Sequence, residues 1–108
     1  MRTVAATLFA SVDGVVEDPH IWQHDSFDAE LGEAMGAGIA PIDDAILGRR
    51  LYEQWSTHWS NAGADDPFAA FINPVRKHVA SRTLTGPLDW QGSPLIAGDL
   101  LEFVADLM

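Results

Sequence analysis

The sequence predicts an α/β domain built around a mainly parallel sheet. Three observations carry that reading. Short β-prone apolar runs alternate with segments of helical spacing, glycine and proline punctuate the junctions between them, and polar motifs follow the apolar runs, where a parallel sheet collects its ligands.

Thr3 to Ala10 is a β-prone apolar run ending in Ser11-Val12-Asp13-Gly14, so it reads as a strand followed by a turn in which glycine can take positive φ. Pro19 to Ser26 is irregular. Phe27, Leu31, Met35 and Ile39 then recur every fourth residue, one face of a helix, with Asp28, Glu30 and Glu33 favouring its N-terminal half and Pro41 stopping it. Residues 44–47 form the next strand, and Arg49 to Ser56 a short helix. Asn61 to Pro67 is a loop by composition, and Phe68 to Ile72 one or two helical turns. Lys77 to Ala80 is a short strand leading into Ser81-Arg82-Thr83, with a turn at Gly86-Pro87. After a last short strand near Leu95-Ile96-Ala97, Asp99 stands as N-cap with Glu102 three residues on. The helix they begin carries an apolar stripe of Leu100, Leu101, Val104, Ala105 and Met108. There are no internal repeats or low-complexity tracts.

A chain of 108 residues, 47% hydrophobic and with four tryptophans, fills one core and one domain. Its net charge of −10 argues against nucleic acid and anionic membranes as partners, because no basic stripe exists to displace counterions. Small molecules are the expected partners. The absence of cysteine removes disulfides and thiolate chemistry and fits a cytoplasmic setting, and no apolar stretch approaches a membrane span.

Positive charge is scarce here, so its placement informs. Five of the six basic residues, Arg49, Arg50, Arg76, Lys77 and Arg82, lie between positions 49 and 82. Asp44-Ala45-Ile46-Leu47-Gly48-Arg49-Arg50 reads as a buried strand, a tight glycine turn and a helix start whose free N–H groups and dipole attract an anion. Two arginines at a helix N-terminus oppose that dipole, and a bound phosphate supplies the reason for them. With Ser81 to Thr83 at another strand end, the pattern suits a multiply phosphorylated ligand. Asp13 is either a turn former or a residue of the site. His20 and His24 are four apart, but Pro19 and the polar context read as loop, and no second ligand pair appears elsewhere, so no metal is expected. No Gly-x-Ser-x-Gly elbow exists to support nucleophilic hydrolysis.

Across residues 2–108 the chain resembles the dihydrofolate reductase-like superfamily, specifically the reductase domain of the bifunctional riboflavin-biosynthesis deaminase-reductase. Ser11-Val12-Asp13-Gly14-Val15-Val16-Glu17, Leu47-Gly48-Arg49-Arg50-Leu51-Tyr52-Glu53, Val79-Ala80-Ser81-Arg82-Thr83-Leu84 and Gly98-Asp99-Leu100 carry the resemblance by their order and spacing. It implies a three-layer α-β-α fold and an NADPH-dependent oxidoreductase, of the 5-amino-6-(5-phosphoribosylamino)uracil reductase kind. Hydride would pass to a small heterocyclic or carbonyl substrate. By that resemblance Gly48, Arg49 and Arg50 would meet the pyrophosphate, and Ser81, Arg82 and Thr83 the adenosine 2′-phosphate. Asp13, as the catalytic candidate, and Gly14 would line the nicotinamide end, with Ser11 and Trp22 on the substrate side. Leu51 departs from a threonine frequent in the family.

The resemblance covers only the N-terminal part of such a domain, up to its third major helix. The glycine-rich turn and further strands of the family do not follow. The expectation is an incomplete domain whose sheet lacks the strand between its first two. It would be a fragment of a longer reductase, a chain whose first two strands pair directly, or a homodimer in which two copies complete each other's sheets. The alternative to a reductase is a non-catalytic remnant or self-associating module that binds nucleotide weakly or not at all.

Overall fold

A computed structural model describes residues 2–23, 28–63 and 65–108. The largely apolar residues 44–48 and residues 76–80, which begin Arg76-Lys77-His78, form the sheet. β1 (Asp44–Gly48) and β2 (Arg76–Ala80) pair in parallel, with Asp44 opposite Arg76 and Gly48 opposite Ala80. A parallel pair needs a long crossover. It is supplied by α3 (Arg49–Ser60) and α4 (Pro67–Ile72), preceded along the chain by α1 (Pro19–Trp22) and α2 (Ala29–Ile39) and followed by α5 (Leu100–Leu107). This is a mixed α/β arrangement on a small parallel sheet.

The helix boundaries follow local chemistry. The Asp28 carboxylate accepts from the Leu31 N–H at 2.9 Å and starts α2, whose Leu31, Met35 and Ile39 are all half-buried. Phe27, the first member of that stripe, lies outside the described residues. α3 runs four residues beyond its expected end at Ser56, because Tyr52, Trp55 and Trp59 continue one apolar face through the third turn. Asp66 caps α4 from within the predicted loop by accepting from Phe68 and Ala69 N–H, and Pro67 sits at the first helical position, where its missing N–H is harmless. Pro19 likewise opens α1, a single turn inside the segment expected to be irregular.

The core lies on one face of the sheet. Leu47, Tyr52, Ile72, Val79 and Trp90 are buried together, and Trp55, Trp59, Phe68 and Phe71 pack around them. Ring centroids stand 4.8 Å apart for Trp59 and Phe68, and 5.5 Å for Trp55 and Phe68. Two polar anchors hold this layer. Trp90 Nε1 donates to Asn73 Oδ1 at 2.8 Å, and Asn73 Nδ2 donates to the Trp59 carbonyl at 2.9 Å.

Lys77 is fully buried on the same face. Its ammonium donates at 2.8 Å to each of the Ile72, Asn73 and Val75 carbonyls, closing the C-terminus of α4, and sits 4.3 Å from the Trp90 ring centre. Burial lowers its pKa to about 8. His78 is buried on the opposite face, because successive strand residues alternate sides. There it meets Phe103 of α5, centroids 4.9 Å apart. That contact also corrects the stripe expected on α5. Phe103, Val104 and Leu107 are half-buried, whereas Leu100, Leu101 and Met108 are exposed.

Two strands expected from the sequence change character. Leu95 makes only a single parallel bridge to Val79. Thr3–Ala10 forms no strand, so direct pairing of the first two strands within the chain does not occur. A β-prone run becomes a strand only when another strand satisfies its backbone, and β1 presents its ladder to β2 alone among the described residues. The run is tethered at one end. Arg2 donates to Asp43, Asp44 and the Leu107 carbonyl at 2.7–2.8 Å. No helix among the described residues is long and apolar enough to cross a membrane.

Two predictions follow from this arrangement. Replacing Lys77 by Met leaves three carbonyls without their donor, and urea unfolding is expected to show a loss of about 3 kcal/mol; a change under about 0.5 kcal/mol would contradict the helix-closing role. Hydrogen bonds from His78 and then from Arg2 hold the Asp44 carboxyl below the usual 3.8. Its folded pKa is depressed, so its contribution is full above the unfolded value and lost as pH falls through the folded one. The stability gap between the native chain and Asp44→Asn should therefore shrink as pH drops from about 5 to about 2. A gap independent of pH would show that the carboxylate charge does not matter.

Candidate functional site

Parallel pairing in this register brings the ends of β1 and β2 side by side, and with them Gly48-Arg49 and Ser81-Arg82-Thr83. Beyond those ends lies an open cleft of about 550 Å³. Arg49, Ser81, Arg82 and Thr83 line it on the strand side, and Ile96, Gly98, Asp99 and Leu100 line it from the start of α5. Two arginines 33 positions apart in sequence thus share one cavity.

Each wall is built locally. Gly48 is extended and has no side chain with which to cap α3, which leaves the N–H groups of the first turn for solvent or a ligand. Arg49 donates to Glu53 Oε1 at 2.7 Å, one turn on, which offsets the cost of a cation at the positive helix end and shares part of its charge. Ser81 Oγ accepts from the Thr83 N–H at 3.1 Å and the Leu84 N–H at 3.0 Å, a serine turn that fixes the loop carrying Arg82. Arg82 is exposed and, among the described residues, makes no ion pair. It is the cleft's less encumbered positive charge. Across from it, Gly98 takes φ of 78°, and the Asp99 carboxylate accepts from the Glu102 N–H at 3.0 Å, the N-cap expected from the sequence.

The remaining candidates stand elsewhere. Arg50 is exposed and does not line the cleft. Ser11, Asp13 and Gly14 form a turn closed on itself. Ser11 Oγ donates to Asp13 and accepts from the Val15 N–H at 2.8 Å, the Gly14 N–H donates to the Ser11 carbonyl at 2.9 Å, and Gly14 has φ of 89°. The Asp13 carboxylate accepts from Ser11 within this turn, and the turn is not part of the cleft lining. Trp22 is half-buried, its indole N–H bonded to the Glu17 carbonyl at 3.0 Å, also outside the cleft. Among the described residues no cluster of three His, Cys, Asp or Glu side chains could hold a metal; His24 and Asp25 lie outside them. Sequence reasoning did not place Ile96, Gly98 or Asp99 at the site, although strand, glycine and cap signals follow one another from Leu95 to Asp99.

Chemically, the cleft offers two guanidinium groups, the uncapped start of α3 and a serine-threonine loop, a donor set for phosphate oxygens. Asp99 adds one carboxylate and sets a limit on how much negative charge the α5 side accepts. No protein-family model and no curated protein matches the chain.

Ser81→Ala removes the acceptor for two backbone N–H groups, and a loss of about 1 kcal/mol in chemical unfolding is expected. Proteolysis should also become faster between Ser81 and Leu84. Unchanged stability and unchanged cleavage would mean that the hydroxyl does not organise the Arg82 loop.

Proposed function

We propose that the cleft beyond β1 and β2 holds the phosphates of NADPH, and that the chain is a cytoplasmic reductase of the dihydrofolate reductase and riboflavin-biosynthesis type. The observation that carries the proposal is the convergence of Arg49 and Arg82 on one cavity, in a chain with 16 acidic and 6 basic residues. Arg82, on its serine-fixed loop, is assigned the 2′-phosphate, and Arg49 with the first-turn N–H groups of α3 the pyrophosphate. When bound, the nicotinamide supplies hydride for a small heterocyclic or carbonyl substrate, and the chain's own part is to bind and orient. The hydride step rests on the resemblance of the four motifs, and the phosphate assignment on the geometry.

A second reading is a nucleotide-binding module without catalysis. It is favoured by the self-contained turn of Ser11, Asp13 and Gly14, and by Trp22, none of which lines the cleft.

Fluorescence of the four tryptophans during NADPH titration tests the assignment. NADPH is expected to bind more tightly than NADH by a factor of about ten or more, the worth of a charge-assisted contact, and Arg82→Ala should abolish that preference. Equal affinity for the two cofactors, or an undiminished preference in Arg82→Ala, would refute the 2′-phosphate site. Consumption of NADPH with a carbonyl or heterocyclic acceptor separates the reductase from the binding module.

A further inference from the structure

The two arginines of the cleft differ in what they hold. Arg82 is exposed and makes no ion pair among the described residues, so its guanidinium meets a ligand as it stands. Arg49 is engaged. Its Nη1 donates to Glu53 Oε1 at 2.7 Å, and Glu53 is not among the residues that line the cleft. Arg50, the next residue along, has Gln54 at the equivalent place one turn on and lies outside the cleft. The acid thus stands against the arginine of the site and not against its neighbour.

The ion pair is weak enough to be displaced. Both side chains are well exposed, 40% for Arg49 and 48% for Glu53, and a single guanidinium nitrogen makes the contact, short of the two-pronged fork that makes such pairs strong. Arg49 is the first residue of α3, where a cation opposes the helix dipole, and a base that precedes its acid is the weaker order for a pair four residues apart. A phosphate at the uncapped first turn gains helix N–H groups together with the guanidinium. The Glu53 carboxylate has Arg49 alone.

We infer that Glu53 sets the specificity of the cleft by competing for Arg49: in the free chain it occupies the guanidinium, and a ligand must bring a diphosphate to displace it. The inference rests on the NADPH reading and deepens it. Of the two phosphate contacts assigned to that cofactor, the pyrophosphate meets an arginine that has to be released, whereas the 2′-phosphate meets one that has no ion pair. A ligand that carries the 2′-phosphate alone therefore gains nothing from the loss of Glu53, and a ligand that carries both groups does. Glu53 is a positioning residue in this account. It acts on the ligand through Arg49 and touches no phosphate itself.

Calorimetric titration of the full chain at about 0.15 M salt, where distant charges are screened, reads the competition. Glu53→Gln is expected to bind NADPH about two- to fivefold more tightly than the wild type, the worth of an exposed ion pair, and to bind adenosine 2′-monophosphate with unchanged affinity. In the Arg49→Ala background the same substitution should bring no gain, which separates competition for the arginine from a general rise in positive potential. Far-UV circular dichroism checks that the variants, altered at exposed side chains, fold alike. Wild-type or weaker affinity of Glu53→Gln for NADPH overturns the proposal. So does a gain that persists in Arg49→Ala, or one that extends equally to adenosine 2′-monophosphate. NADPH binding to neither the wild type nor Glu53→Gln refutes the cofactor assignment itself, whereas equal binding to both refutes the role of Glu53 alone.

Discussion

The register of one parallel strand pair governs this structure. Because Gly48 stands opposite Ala80, everything that follows β1 begins beside everything that follows β2. A shift of one residue would turn Lys77 and Val79 away from the core and would carry His78 into it. The register is over-determined by side chains of very different kinds. Val79 and Leu47 are buried among the aromatic rings of α3 and α4, Lys77 closes α4 through the Ile72 and Asn73 carbonyls, and His78 is held on the other face by Asp44 and Phe103. A charged residue in a small core is costly unless fully bonded. Here all three ammonium protons have acceptors, which makes the lysine a specific lock for one alignment.

The two ends of the pair carry opposite chemistry. At the N-terminal end, Asp43 and Asp44 gather Arg2 and His78, and the acidic excess of the chain is used to tie the first residues to the strand. At the C-terminal end, Arg49 and Arg82 share a cleft with the uncapped start of α3. This polarity is general for parallel sheets, whose strand ends feed helix N-termini. What is particular here is that a chain of net charge −10 places two of its six basic residues there. Glu53 tempers one of them, and Asp99 lines the same cleft from the start of α5.

Local signals were legible where local chemistry decides the outcome. Asp99 caps α5 as its spacing to Glu102 indicates and Pro41 ends α2, whereas the caps made by Asp28 and Asp66, the one read only as a dipole-favouring acid and the other as loop, emerge from the structure. Asp44 to Gly48 followed by a helix could be read because strand, turn and helix start are all encoded within seven residues. Sequence patterning failed where the outcome depends on a distant partner. Thr3 to Ala10 has strand composition but forms no strand among the described residues, and nothing in its own residues says so. The burial of Lys77 and His78 could not be foreseen from a short charged-looking strand, since it depends on α4 carbonyls and on Phe103, which come from other elements. At the site, Arg49 and Ser81 to Thr83 were legible as strand-end motifs. Arg50, one residue further along a helix, is rotated by about 100° from Arg49 and falls outside the cleft.

The most direct test of the account is side-chain NMR of the arginine Nε–H groups during titration with adenosine 2′,5′-bisphosphate. If the register places Arg49 and Arg82 on one ligand, their resonances shift together, with one midpoint, while Arg50 and Arg76 stay in place. Separate midpoints for Arg49 and Arg82, or equal drift of all four arginines, would mean that the two strand ends do not form a common site.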